Sequence, residues 1–396
     1  MTESRRVKAG VVGCGDISLG GYFAFVNEVF DLVATCDIIE DRAKEMARIW
    51  GAREYYTDMD DMLAQADVEA VFILTSMSSH AALALKAAQA GKHFLVQKPF
   101  ATHLEEGLAV VKAARQGGVK GLAEPNYWLD PVHMKAKQII EEGHIGSVHY
   151  CLGRTERSWI PLWGGSNFYE REGGGMLFDM GVYLISALAY LLGPAKKVTG
   201  VAKVSVPHRP PIYSDDIFTE FLQGYQRGEP NFHAHESEFT GTVPTVVEAY
   251  DNTFTLIEWP NECLACVIAN SVSFVLPPPG ARLVLCGEKG TIAFGMAGSG
   301  SRLSVATLDR ESEYYVPGSG ISGPGGPEDV GWYHFPHDAF PAWRYTAGST
   351  QHLHDCIVKD TEPLASIEWG CHVAEIMIKS FESAEKGQAL DLVTTF

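Results

Sequence analysis

No apolar run in this sequence approaches the ~18–20 residues needed to cross a bilayer, so no membrane span is expected. Low-complexity tracts are missing too, which excludes a long disordered arm. Basic residues are scarce: 31 Lys and Arg stand against 49 Asp and Glu, a formal net charge of -18, with no basic cluster. Phosphate backbones are bound by clustered cations, so a nucleic-acid partner is excluded as well. The eight cysteines are scattered among apolar neighbours without a framework spacing and read as buried thiols of a reducing, cytoplasmic setting. Their one close pair, Cys263 and Cys266, lies in a β-like run with no second pair to complete a metal site. The histidines at 233, 235, 334, 337, 352 and 354 form tempting pairs without a third ligand, so no metal is expected.

What is present is a folded composition, 46% hydrophobic and 20% charged. Its 396 residues exceed the roughly 250–300 that one core sustains, so two domains are expected. The opening "MTESRRVKAGVVGCG" is basic and then apolar, but the apolar part is short and runs into a glycine turn, so it reads as a first strand and not a leader. From Val7 to about Ala123, short β runs such as "AVFILT" and "HFLVQ" alternate with helical patterns such as "RAKEMARIW" and "AALALKAAQA". That alternation predicts a doubly wound parallel sheet over residues 1–125. Beyond Asn126 the texture shifts to longer β stretches with few crossover helices, which predicts an α+β domain over 126–396 with a mostly antiparallel sheet and helices on one face. Residues 318–348, rich in Gly, Pro and aromatics, read either as a lid, substrate wall or interface arm, or as a pinned surface loop. The last amphipathic run, stopping at Gly387, is expected to dock back on the body.

"VVGCGDIS" follows the first strand and opens a helix, giving Gly13-x-Gly15-x-x-Ser18. Glycines there let backbone N–H groups approach a pyrophosphate at a helix N-terminus. The second strand ends in Asp37, 22 positions after Gly15, where a carboxylate accepts both ribose hydroxyls and repels a 2′-phosphate. NAD is therefore expected over NADP, with a helix-capping Asp37 as the plainer alternative. "LTSMSSH" and "VQKPF" end later strands at the same edge of the sheet, where ligands of parallel sheets bind. The expected cofactor set is Gly13, Gly15, Asp16, Ile17, Asp37, Thr75, Ser76, His80, Gln97 and Lys98.

At this point "GVVGCGDIS", "TSMSSHAALALKAAQAGKHFLVQKPFA" and "GGGMLFDMGVYLISALAYLLG", in order and spacing, resemble the glucose–fructose oxidoreductase / inositol dehydrogenase / rhizopine-catabolism (Gfo/Idh/MocA) family. The resemblance implies an N-terminal Rossmann domain, a C-terminal open-faced sheet often used for dimer or tetramer contacts, and NAD(P)-dependent chemistry on sugars or cyclitols. It places Lys98 beside the nicotinamide and the reacting hydroxyl, and matches Asp179 to the aspartate of the second-domain helix. Two positions depart from the family pattern: Tyr183 replaces the usual catalytic His, and Gln97 replaces the Glu of Glu-Lys-Pro.

Asp179 and Tyr183 are one helical turn apart and share a face if that segment is helical, with three preceding glycines letting its start approach the crevice. Oxidising a ring alcohol requires a hydride acceptor and a base for the hydroxyl proton. A phenol with an ordinary pKa of ~10 is a poor base unless an ammonium such as Lys98 stabilises its phenolate. The reading is a coupled Lys98–Tyr183 acid/base pair, Asp179 binding a substrate hydroxyl; against it stand a Lys98 that carries the proton alone, its pKa lowered by desolvation, with Asp179 and Tyr183 orienting the substrate, and a Tyr183 that merely packs. Asn126, Trp128, Arg154, Arg157 and Trp159 are the expected sugar contacts, as hydrogen-bonding and stacking groups near strand ends. The leading function is an NAD-dependent sugar or cyclitol dehydrogenase; redox-neutral glycoside cleavage with retained NAD and a catalytically silent nucleotide sensor are the alternatives.

Overall fold

The computed structural model describes residues 5–15, 17–126, 129–158, 169–209, 245–273, 282–295, 302–318, 330–336, 338–340 and 345–396. Its first sheet contains β1 (Lys8–Val12), β2 (Asp31–Cys36), β3 (Glu54–Tyr56), β4 (Ala70–Ile73), β5 (His93–Val96) and β6 (Gly121–Ala123), all parallel, in the order β3-β2-β1-β4-β5-β6. All four residues of β4 are buried, as a strand covered on both faces requires. The connecting helices are α1 (Phe23–Val29), α2 (Glu40–Trp50), α3 (Met59–Gln65), α4 (His80–Gln89) and α5 (Leu104–Gly117). Asp58 caps α3 through the Asp60 N–H, and left-handed glycines Gly51 and Gly118 end α2 and α5. The strand order reverses between β1 and β4, so a ligand crevice opens at their carboxyl ends.

Helix α6 (Pro131–Glu141), capped by Asp130, leads into a nine-stranded second sheet. It is built from β7 (Val148–Ser158), β8 (Lys197–Lys203), β11 (Asn252–Glu258), β12 (Leu264–Ser273), β13 (Leu283–Gly287), β14 (Gly290–Phe294), β15 (Leu303–Thr307), β16 (Tyr333–His334) and β17 (Leu390–Asp391). The short strands β9 (His208–Arg209) and β10 (Thr245–Val246) pair antiparallel with each other, apart from that sheet. All neighbours are antiparallel except β7 and β12, so the sheet is mixed. Helix α7 (Val182–Leu192) covers one face, where Leu184 packs over Gly153. The other face carries exposed Tyr150, Val201, Phe254, Leu256 and Leu264.

Together with the turns before it, α7 forms a helical stretch, Arg171–Leu192, that is long and apolar enough to cross a membrane, which the sequence reading did not anticipate. Its apolar side chains are spent on protein contacts, 72% of its most apolar window being buried. Helix α8 (Tyr345–Lys359) packs on α1 of the first sheet, and α9 (Ile367–Lys386) spans both sheets, touching β6 and β8. Just before α9, Ala365 accepts a hydrogen bond from the Ala123 N–H, extending the β6 edge. The C-terminal segment thus docks on the nucleotide side as well as on its own sheet. Of the 318–348 stretch, Tyr333 and His334 form an edge strand on β15, Tyr333 and Phe335 join an aromatic cluster with Tyr314 and Phe340, and the helix already begins at Tyr345; residues 319–329, 337 and 341–344 lie outside the described ones.

Candidate active site

The glycine turn sits at the crevice. Gly13 has φ +93°, and a Cβ there would fall 2.6 Å from the Leu74 carbonyl oxygen, so the turn accepts no side chain. Above Gly15 the space is open, the nearest atom being a guanidinium nitrogen of Arg42, 3.9 Å from a Cβ built there. Asp37 is half-buried; its Oδ2 accepts the Cys14 N–H at 2.7 Å and its Oδ1 the Ile39 N–H at 2.9 Å. Part of the carboxylate therefore braces the turn, and lone pairs remain on the same oxygens. Ile38, next to it in the chain, and Ile17, at the helix start after the glycine turn, are 91% and 46% exposed, unusual for isoleucine and suited to an aromatic ligand face. Asp16 lies outside the described residues.

At the next strand ends, the Thr75 hydroxyl meets that of Ser79 at 2.7 Å, and Ser79 Oγ donates to the Ser76 carbonyl, so these hydroxyls shape the turn after β4. His80 is fully buried, its Nδ1 2.8 Å from the Pro99 carbonyl and its Nε2 3.0 Å from the Thr75 carbonyl. Burial holds its pKa below the ordinary histidine value. A neutral ring donates to one of these two carbonyls, so the fully buried His80 is tied to the backbone after β4 or β5 and does not present its ring to the crevice.

Lys98, two residues past β5, reaches across to the second sheet's helix. Its Nζ donates to Asp179 Oδ1 at 2.6 Å and to the Asp179 carbonyl at 2.9 Å, and lies 5.4 Å from the centroid of the Tyr183 ring. The lysine and aspartate side chains are only 9% and 20% exposed, so their attraction is weakly screened. Asp179 sits in a π-turn, Leu177–Gly181, immediately before α7, where the sequence reading expected plain α-helix. Such bulges recur at functional positions because they re-aim side chains. The preceding glycines serve a different contact from the one expected: a Cβ on Gly175 (φ +60°) would lie 2.3 Å from the Tyr250 carbonyl oxygen, and one on Gly174 2.4 Å from the Phe178 ring.

Beneath Lys98 lies a buried polar chain that sequence reasoning missed. Gln97 is 3% exposed; its Oε1 accepts the Lys98 N–H at 3.1 Å and its Nε2 donates to Tyr22 Oη at 2.9 Å. The Tyr22 hydroxyl donates to Glu124 Oε1 at 2.8 Å. Burial, reinforced by Glu124, pushes the Tyr22 pKa well above the usual tyrosine range. Gln97 is thus a support under the lysine rather than a surface of the crevice. A second missed network joins Arg209, Asp251 and Ser271, all buried, with the Arg209 guanidinium over the Tyr169 ring.

The expected sugar contacts fare unevenly. Asn126 is fully buried, its Oδ1 taking the Ser349 hydroxyl of α8 at 2.9 Å while Nδ2 has no partner among the described residues. Arg154 projects from the face of β7 opposite α7, because Gly153 beside it faces Leu184 and strand side chains alternate. Trp128, Trp159 and the Arg157 side chain lie outside the described residues. Cys263 and Cys266 lie on opposite faces of the second sheet, Cys263 being buried 3.9 Å from Cys151. Among the described residues no three His, Cys, Asp or Glu side chains group to hold a metal ion.

Two family models match the chain: the oxidoreductase family, NAD-binding Rossmann fold, over residues 7–124, and the GFO/IDH/MocA C-terminal domain over 133–293. A D-apiose dehydrogenase of Paraburkholderia graminis is 28% identical over 244 residues, covering 61% of each chain. A scyllo-inositol 2-dehydrogenase (NAD(+)) of Bacillus subtilis is 30% identical over 193 residues, 48% of this chain and 54% of that one. These matches span about six-tenths or less of the curated relatives' length. A levoglucosan dehydrogenase solved in complex with NADH superposes with a TM-score of 0.76 at 21% identity, covering 98% of this chain and 100% of that one, which establishes the shared fold. Both halves of the chain, from the glycine turn to the second sheet, belong to the GFO/IDH/MocA oxidoreductase family, with an NAD-binding Rossmann domain at the N-terminal end.

Proposed function

We propose that the protein is a dehydrogenase that moves hydride between NAD and a secondary hydroxyl, or the matching ketone, of a sugar, sugar derivative or cyclitol. The observation that carries this reading is the Lys98–Asp179 ion pair beside Tyr183, held at the carboxyl edge of the parallel sheet. The glycine turn, closed to side chains at Gly13 and open above Gly15, supports a close approach of NAD, and Asp37 with the exposed Ile38 at the end of β2 supports ribose and adenine contacts there. Bound nicotinamide supplies the hydride acceptor or donor. The chain's own residues handle the proton. Lys98 and Tyr183 act as a coupled acid/base pair, the ammonium stabilising negative charge on the phenol or on the substrate oxygen. Asp179 fixes the lysine and offers its carboxylate to a neighbouring hydroxyl. Curated relatives named as apiose, inositol and xylose dehydrogenases support the substrate class.

The exposed apolar face of the second sheet supports a homodimer or homotetramer that buries it. The first test is absorbance at 340 nm with NAD or NADP and a panel of aldoses, glycosides, sugar acids and cyclitols. Sustained NADH formation with at least one compound is expected. Product formed without net NADH would replace the proposal with redox-neutral chemistry, and no turnover with any compound would overturn it.

A further inference from the structure

Gln97 stands where the resembled motif has Glu, yet a carboxylate is still present one strand away. Val96 of β5 pairs with Ala123 of β6, so Gln97 and Glu124 are the next residues along, side by side at the carboxyl ends of adjacent parallel strands. The Glu124 N–H donates to the Val96 carbonyl at 3.0 Å, which fixes that register. Glu124 is 1% exposed, and besides the Tyr22 hydroxyl on Oε1 it takes the Asn126 N–H on Oε2 at 2.9 Å. Both contacts are donors, as an ionised carboxylate requires. A buried carboxylate is costly unless donors offset it, and along this chain of bonds the donors follow one another from the Tyr22 hydroxyl through Gln97 Nε2 to the backbone N–H of Lys98.

The direction of every bond follows from that carboxylate. Tyr22 has one hydroxyl proton and commits it to Glu124, so its oxygen accepts from Gln97 Nε2, and Gln97 Oε1 is left facing the Lys98 N–H. A glutamate at 97 would set two carboxylates competing for one proton, with like charges held together out of water. We infer that Glu124 is a positioning residue that, through Tyr22 and Gln97, fixes the backbone from which Lys98 projects, and that position 97 is an amide because 124 is already an acid. The effect on turnover rests on the dehydrogenase reading; the coupling between positions 97 and 124 does not.

Three full-length variants test it: E124Q, Q97E and Q97E/E124Q, each followed by urea midpoint, NADH affinity from fluorescence, and steady-state kinetics with the best polyol. E124Q keeps the shape, and is expected to leave NADH affinity and KM within about twofold while kcat falls roughly 10- to 100-fold. Q97E alone is expected to unfold at lower urea, and the double variant to regain the wild-type midpoint and most of kcat. Wild-type kcat in a folded E124Q overturns the positioning role, and a double variant no more stable than Q97E overturns the coupling. If E124Q does not fold, the Q97E and double-variant midpoints decide. If the wild type turns over no substrate, the dehydrogenase reading fails while those midpoints still judge the coupling.

Discussion

Replacing Asp179 with Asn changes one charge and almost no volume, and removes half of the contact on which the proposed chemistry depends. Lys98 keeps its 2.9 Å bond to the Asp179 carbonyl, and loses a charge-assisted bond of 2.6 Å to the carboxylate in exchange for a neutral one. Two unit charges at that separation attract by about 6 kcal/mol at an effective dielectric near 20, and by under ~2 kcal/mol in bulk water. Desolvation of a pair 9% and 20% exposed offsets most of this, leaving about 1–2 kcal/mol, the difference between a charge-assisted and a neutral bond. If the pair orients Lys98 in the transition state, kcat/KM falls roughly 5- to 30-fold, since ~1.4 kcal/mol is a factor of ten. The assay is steady-state kinetics on the best polyol, with NADH affinity measured separately to show that the nucleotide crevice is intact. A kcat/KM within twofold of wild type, with NADH bound normally, would refute the role given to the ion pair.

Asp37→Asn retains an acceptor for the Cys14 N–H while removing the repulsion of a 2′-phosphate, so the NAD preference should narrow by about tenfold or more in paired NADH and NADPH titrations; an unchanged ratio would sink the selectivity argument. His133 on α6 stacks on Phe294, and burial, against Asp130 and with Arg302, lowers its pKa to about 4 from an ordinary 6.5. Below pH 6.5 the unfolded chain takes up a proton that the folded one refuses, so stability is present above that pH and is lost as pH falls toward 4, by about 3 kcal/mol. Urea midpoints at pH 7 and 4.5 should converge in His133→Phe, which keeps the stack; wild-type and variant losing equal stability would show that other groups carry the effect. Leu256→Glu, on the bare face of the second sheet, should shift the assembly toward monomer in light scattering, and an unchanged mass would remove that face as the interface.

The first sheet was readable because strands buried on both faces are continuous apolar runs, and the spacing of helices between them allows little but parallel crossovers. The second sheet was readable only as texture: which strands pair, and that β7 and β12 run parallel, depends on contacts between segments more than a hundred residues apart. The same limit explains the site. Lys98, Asp179 and Tyr183 could be named from motifs, whereas Tyr22 and Glu124, 102 positions apart, carry no local period that links them. "LAEPN" did hold a signal, a lone acid at the end of an apolar strand, but its importance rests on the β5–β6 register that sets it beside Gln97. The face of β7 from which Arg154 projects was unreadable for a related reason: one step along a strand moves a side chain to the opposite face, and texture does not fix that phase.

The ion pair at the crevice joins residues 81 positions apart, one at a strand end of the first sheet and one before a helix of the second. Were the two sheets free to move independently, a 2.6 Å contact between them would have to be rebuilt at each encounter with substrate. Helix α9 removes that freedom, because one rigid element lies against β6 and β8 together, with Gly370 against Ala123 at one end and Ser380 directly over Gly200 at the other. Ala365 is hydrogen-bonded to the strand whose next residue is Glu124, so the tie between the sheets and the anchor of the bonds that hold the Lys98 backbone are set by one short stretch of chain. The charges that meet the reacting oxygen are then already oriented before substrate arrives, which is the condition under which fixed dipoles and ion pairs lower a barrier without reorganising during the reaction. On this view the C-terminal helix belongs to the active site's electrostatics although none of its side chains is placed in the crevice.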